Sequence, residues 1–274
     1  MPQCVRLAAL DVLNTPDPGD KTAKAREVAA SWFAGQLGLP VNGAPSLAPD
    51  RPARPEKPDL KPPSQVARRR LSSIAGRFAL LHAVAHIEFN AVDLAFDLVA
   101  RFGGSPLIRD VDRHAFISDW IQVGDDEARH FNMINTRLAE LGGQYGDLPA
   151  HDGLWEAAQS TATDLAARLA IAPMVLEARG LDVTPMMIEK LKSVEDRDSA
   201  DILTVIYTEE VAHVAAGRRW FEAVCKEKAQ DVETTFHELV RRYFSGNLKR
   251  PFNVPARDAA GMPQDWYEPL AEMD

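Results

Sequence analysis

The chain has 274 residues, a formal net charge of −9 and a hydrophobic fraction of 46%, which suits a globular protein with enough chain to bury a sizeable core. The acidic balance argues against general nucleic-acid affinity, which rests on neutralising phosphates. No apolar run approaches the roughly 18 residues a membrane helix needs. Two cysteines, Cys4 and Cys225, are too few for a disulfide framework and are not spaced as metal ligands. With no signal-peptide cleavage pattern, a cytoplasmic location is expected.

Residues 21–37 place Ala25, Val28, Ala29, Trp32, Phe33 and Leu37 at helical spacing, with Gly38 as the stop. Residues 40–65 are dense in proline, which removes backbone donors and biases its predecessor away from the helix. An extended strap over the surface is expected, since a flexible linker would be richer in Gly and Ser. The strap region is locally basic, with Arg51, Arg54, Lys57, Lys61 and Arg68-Arg69-Arg70. Its first reading is a solvated charge run and its second an RNA contact.

Four long helices follow. The first spans about residues 63–102, with the stripe Phe78, Leu81, Ala85, Glu88, Val92, Ala95 and Val99. The second spans about 110–142, with Phe116, Trp120, Val123, Glu127, His130 or Phe131, Ile134 and Leu138 on one side. The third spans about 153–180, kinked at Pro173 and stopped at Gly180, with Leu165, Leu169, Leu176 and Glu177 along one side. After a short helix at about 184–195, the fourth spans about 198–228 through Ile202, Ile206, Glu210, His213, Gly217, Trp220 and Val224. A further helix at about 230–244 leads into an irregular tail. This predicts an all-α protein. Residues 1–65 form an N-terminal helix and strap packed on a four-helix bundle of residues 66–244, and residues 245–274 form the tail.

Glutamates and histidines occupy positions on these stripes where core residues belong. Glu127-Ala-Arg-His130 and Glu210-Val-Ala-His213 each put a carboxylate and an imidazole on one helical face, three residues apart. Lone glutamates, Glu88 and Glu177, lie on the other two helices, so the two halves echo each other as Glu, then Glu-x-x-His. A buried unpaired carboxylate costs several kcal/mol, so four of them require something cationic between them. Two divalent metals meet that need. Carboxylates with neutral imidazole suit iron, manganese or a mixed Fe/Mn pair, and six protein ligands leave coordination positions open. Which glutamates bridge is left open.

Neighbouring residues are weaker candidates. Glu209 could reach His213 at i,i+4, but Ile202, Ile206 and Trp220 favour Glu210 as the inward residue. His82 and His86 point away from Glu88 on their helix, as packing or outer-sphere residues. Tyr207 either packs or serves the site by a hydrogen bond or a radical. Arg129 either pairs with a ligand carboxylate or lies at the surface.

On the segments RPARPEKPDL, HIEFNAVDL, DDEARHF, EEVAH and PFNVPARDAAG, the chain resembles the ferritin-like superfamily, and within it an uncharacterised bacterial family. The resemblance implies a carboxylate di-iron centre at Glu88, Glu127, His130, Glu177, Glu210 and His213. The superfamily also includes a tRNA hydroxylase of similar layout.

The leading functional expectation is a di-iron oxidoreductase that uses dioxygen to hydroxylate or desaturate an organic substrate, either a small molecule or tRNA, with electrons from a separate donor. A homodimer is compatible with this reading. One alternative is a ferroxidase or iron-binding protein, although a strap and tail must then be accommodated on a closed cage. Peroxidase activity lacks the Cys-x-x-Cys module expected to accompany it. Another alternative is a structural or RNA-binding bundle in which the metal is only a staple.

Overall fold

The computed structural model describes residues 3–46, 48–62 and 71–271. Among these, the regular elements are helical. They run α1 (Val5–Leu13), α2 (Pro18–Phe33), α3 (Ile74–Asp97), α4 (Asp110–Glu140), α5 (Gly153–Ser160), α6 (Leu165–Ile171), α7 (Ala178–Ser193), α8 (Arg197–Glu227), α9 (Val232–Tyr243), α10 (Val254–Ala259) and α11 (Gln264–Tyr267). The all-α expectation is met. No helix among the described residues is long and apolar enough to cross a membrane.

Helix starts follow local chemistry. Asp17 accepts a hydrogen bond from the Asp20 N–H ahead of Pro18 in α2, Ser73 from the Gly76 N–H in α3, and Asp196 from the Ser199 N–H in α8. Asp196 also takes Arg77 of α3 at 2.9 Å and Arg137 of α4 at 2.8 Å, tying three long helices together at one end.

Several expected boundaries are corrected. The N-terminal segment holds two helices, and the unexpected one is α1. Helix α2 ends at Phe33 and Gly35, in the left-handed region at φ 70°, makes the stop instead of Gly38. Helix α3 begins at Ile74, and residues 63–70, with Arg68-Arg69-Arg70, lie outside the described residues. The expected third helix is broken before Pro173. The Thr161 hydroxyl donates back to the Ala157 carbonyl, and Asp164 caps a fresh start at α6. Gly180 stops nothing. Helix α7 runs through it to Ser193 and absorbs the short helix expected at 184–195.

Pro173 lacks the N–H that an α-helical turn would use, and the chain widens into a π-helical turn, Ala172–Glu177, joining α6 to α7. A second wide turn, Leu98–Phe102, extends α3.

Helices α4 and α8 run antiparallel. Arg219 pairs with Asp119, Arg129 with Glu209 and Arg137 with Asp196 along their length. Among the described residues, two large apolar cores form between the long helices, beside a small cluster of Leu94, Trp155, Ala158 and Ala172. One gathers Leu81, Ala85, Phe89, Phe131, Ile134, Leu203 and Ile206. The other gathers Val92, Phe96, Trp120, Leu169, Met174, Val214 and Phe221, and includes residues of α1, α2, α9 and the tail. On α8 the polar residues described below, Glu210 and His213, lie in sequence between Ile206 of the first core and Val214 of the second.

The strap is extended and held by the body. Ala53 N–H donates to the Leu13 carbonyl and Lys61 N–H to that of Ala150. Lys21, fully buried, donates to Asp93 at 2.5 Å and to the Ala53 carbonyl at 3.1 Å. Arg54 reaches the other oxygen of Asp93 at 3.1 Å and Asn90 at 2.8 Å. Arg51 pairs with Asp152, and Lys57 with Asp59. Among the described residues of the basic run, Arg51, Arg54 and Lys57 are thus matched by carboxylates of the same chain.

Candidate metal centre

Glu88 comes from α3, Glu127 and His130 from α4, Glu177 from the wide turn ahead of α7, and Glu210 and His213 from α8. Ligand atoms of Glu88, Glu127, His130 and Glu210 all lie within 4.8 Å of one another. His213 adjoins them, with its Nδ1 3.1 Å from Glu127 Oε1 and 3.7 Å from Glu210 Oε1. His130 Nδ1 is 3.2 Å from Glu88 Oε2 and 3.4 Å from Glu127 Oε2. Both imidazoles therefore turn Nδ1 inward, and Glu127 stands between them with one oxygen toward each.

Glu177 stands outside the tightest group. Its Oε2 is buried without a hydrogen-bond partner, and its carboxyl is raised well above the usual range by burial and by the charges of Glu210 and Glu127.

The electrostatics are those of a charge cluster short of cations. Burial and the charge of Glu127 raise the Glu88 carboxyl well above the ordinary range, and the same two causes raise Glu210. Glu127 is the exception. Burial opposes its charge, yet His130 and His213 outweigh that and hold it below the carboxylate range. Burial works against charge on His130 too, but Glu127 and Glu88 push it up to about 11. His213 is raised against burial by Asp126, Glu127 and Glu210. Both oxygens of Glu127, Oε2 of Glu177 and of Glu210, and Nδ1 of His213 are buried without a hydrogen-bond partner. Such groups are rare in folded proteins and mark a place where an ion or water belongs.

Two further residues complete the arrangement. His130 Nε2 lies 2.6 Å from Glu209 Oε2, and His213 Nε2 lies 3.4 Å from Asp126 Oδ2. Each carboxylate immediately precedes the glutamate of a Glu-x-x-His pair, and each serves the histidine of the other helix. Glu209 thus faces His130 and not His213. The available signal was the acidic residue just before each pair, in Asp126-Glu127 and Glu209-Glu210. A carboxylate on the outer nitrogen fixes the tautomer and orientation of a histidine whose other nitrogen serves a metal.

The remaining candidates sit apart. The Tyr207 hydroxyl accepts from Asn253 Nδ2 at 2.9 Å, a packing contact with the tail. His86 Nδ1 accepts from the Tyr145 hydroxyl at 2.8 Å, and His82 Nε2 accepts from the Gly146 N–H at 2.9 Å. Both histidines pack against the loop after α4.

Fold and site together define an all-helical protein with a buried carboxylate–imidazole cluster shared by its long helices. The chain belongs to the family described as "Protein of unknown function (DUF455)", whose model matches residues 14–268. It is 38% identical over 262 residues to an uncharacterised protein of Haemophilus influenzae, covering 93% of this chain and 91% of that one. No solved structure matches it.

Proposed function

We propose that the protein is a ferritin-like di-metal oxidoreductase, with α3, α4, α6–α7 and α8 as the four-helix bundle and dioxygen as co-substrate. The observation that carries this reading is the set of buried, unpartnered oxygens on Glu127, Glu177 and Glu210 beside two inward-facing imidazole nitrogens.

Four carboxylates in one buried layer carry a charge that two divalent cations cancel, and hard oxygen donors with one imidazole per ion suit iron or manganese. Glu88, Glu127, His130, Glu177, Glu210 and His213 would hold the two ions. Ferrous ions at such a centre supply one-electron and dioxygen chemistry.

The protein's own part is positional. Asp126 and Glu209 keep both imidazoles in the orientation that leaves Nδ1 facing the centre. Apolar residues on the neighbouring turns of the same helices keep water off it and lower the local dielectric. The organic substrate and the electron donor come from outside the chain.

The test is metal analysis of protein from iron-supplemented cells, then oxygen addition to the reduced form while the visible spectrum is recorded. About two irons per chain, with an oxygen-dependent band lost in Glu127→Ala, would support the reading. A protein that takes up no metal, or a single inert zinc, would sink it.

A further inference from the structure

One hydrogen-bonded chain runs along the outer wall of the cluster from one imidazole to the other. It starts at His213 Nε2, 3.4 Å from Asp126 Oδ2. The other oxygen of Asp126 takes the Arg129 guanidinium at 2.9 Å. The same nitrogen of Arg129 donates to Glu209 Oε2 at 2.6 Å, across from α4 to α8. That Glu209 oxygen also lies 2.6 Å from His130 Nε2. An Arg–Asp pair at i,i+3 on one helix is commonplace and worth little. The uncommon feature is that a single nitrogen joins the two carboxylates that support the two histidines.

We infer that Arg129 is a positioning residue for both halves of the metal centre at once, a reading that rests on the di-metal proposal above. Each carboxylate by itself serves one histidine. Arg129 serves neither directly, but it fixes the placement of both carboxylates and draws negative charge from both. The two supports are unequal, 2.6 Å on the His130 side and 3.4 Å on the His213 side, so the half-sites differ in how tightly their rings are held. Side-chain exposures of 32% for Arg129 and 33% for Glu209 put this clamp at the solvent edge, while His130 and His213 behind it are buried. Arg129 can therefore be replaced without opening the apolar cores.

The experiment is a Co(II) titration of the metal-free, full-length protein, read by the ligand-field absorbance, with thermal unfolding checked for each variant. Asp126→Asn is expected to weaken the binding of one of two ions and Glu209→Gln that of the other, each by about tenfold. Arg129→Gln is expected to weaken both and to shift both sets of bands, and Arg129→Lys, which keeps the charge, to restore most of the loss. An Arg129→Gln protein that binds both ions like the parent, or that changes only one, overturns the inference while leaving the di-metal reading intact. A parent protein that binds no Co(II) overturns both.

Discussion

Gly217 is a socket for Pro173: a Cβ built on Gly217 would stand 2.4 Å from Pro173 Cγ and 2.5 Å from its Cβ. Real Cβ atoms do not come that close, so the proline ring can lie on α8 only where a glycine receives it. Pro173 belongs to the wide turn that delivers Glu177, and this contact sets where that glutamate stands. Phe96 of α3 fills the equivalent space over Gly124 of α4, with a ring atom 2.6 Å from a built Cβ. Both glycines lie within one turn or so of a Glu-x-x-His pair.

Gly217→Ala should therefore push the Ala172–Glu177 turn off α8. Overpacking of this kind costs about 1–3 kcal/mol, and metal affinity should fall as Glu177 retreats. Urea unfolding and a Co(II) titration check both effects. A variant unchanged in both would mean that the turn yields without consequence.

Lys21→Met should be among the most damaging single changes in the chain. It leaves Asp93 fully buried with only Arg54 beside it, and breaking a buried pair on one side costs about 3–5 kcal/mol. The double variant Lys21→Met, Asp93→Leu should recover much of the loss, because Arg54 is partly exposed and can turn to water. Denaturation midpoints of the two variants decide the matter, and equal losses would refute the pairing argument.

His86 should make the protein acid-sensitive. Burial, and then the charge of Arg54, hold its pKa down to about 4 from the ordinary 6.5. The unfolded chain therefore takes up the proton first as pH falls. The stability contributed by the neutral ring is complete above 6.5 and drains away as pH drops through 4. The full difference corresponds to about 3 kcal/mol. His86→Gln should flatten the fall in unfolding free energy across that interval, and an equally steep fall in the variant would place the sensitivity elsewhere.

Metal loading should release protons. Glu88, Glu177 and Glu210 are raised by burial first and neighbouring carboxylates second, and His130 and His213 are raised by the carboxylates around them, against burial. All five bind protons more readily folded than unfolded. Their contribution to the metal-free protein is present at low pH and is lost as pH rises through the folded values. Divalent cations replace those protons and should raise the melting temperature most on the alkaline side. Calorimetry of Mn(II) binding in buffers of different ionisation enthalpy counts the protons, and a count of zero would contradict the charge state described here.

The six candidate ligands were legible because Glu and His in place of core residues break an apolar stripe, and such breaks stand out at helical spacing. Asp126 and Glu209 were not read as supports for the histidines. Each serves a histidine on another helix, and the pairing of α4 with α8 that makes this possible is a tertiary fact. The third long helix was misread for a different reason. Pro173 is the conspicuous residue, yet the chain breaks at Thr161–Asp164, where a hydroxyl and a carboxylate compete for backbone groups without advertising a stop. Gly180 misled in the opposite direction, because a glycine ends a helix only when the next turn has somewhere else to go. The nine residues of α1 are too few to announce a helix by themselves, because their helical face is completed by packing on α2 and α3.

The exchanged carboxylates have a consequence for how the centre can come into being. Asp126 of α4 serves the ring on α8, and Glu209 of α8 serves the ring on α4. Neither helical hairpin carries a finished half of the site, and a chain cut in the loop between α4 and α5 would yield two fragments with misdirected imidazoles. On the di-metal proposal, competence to hold metal would arise only when distant parts of one polypeptide have closed on each other correctly. The centre would then double as an internal certificate of assembly, and metal uptake would read out whether the whole molecule has reached its native arrangement.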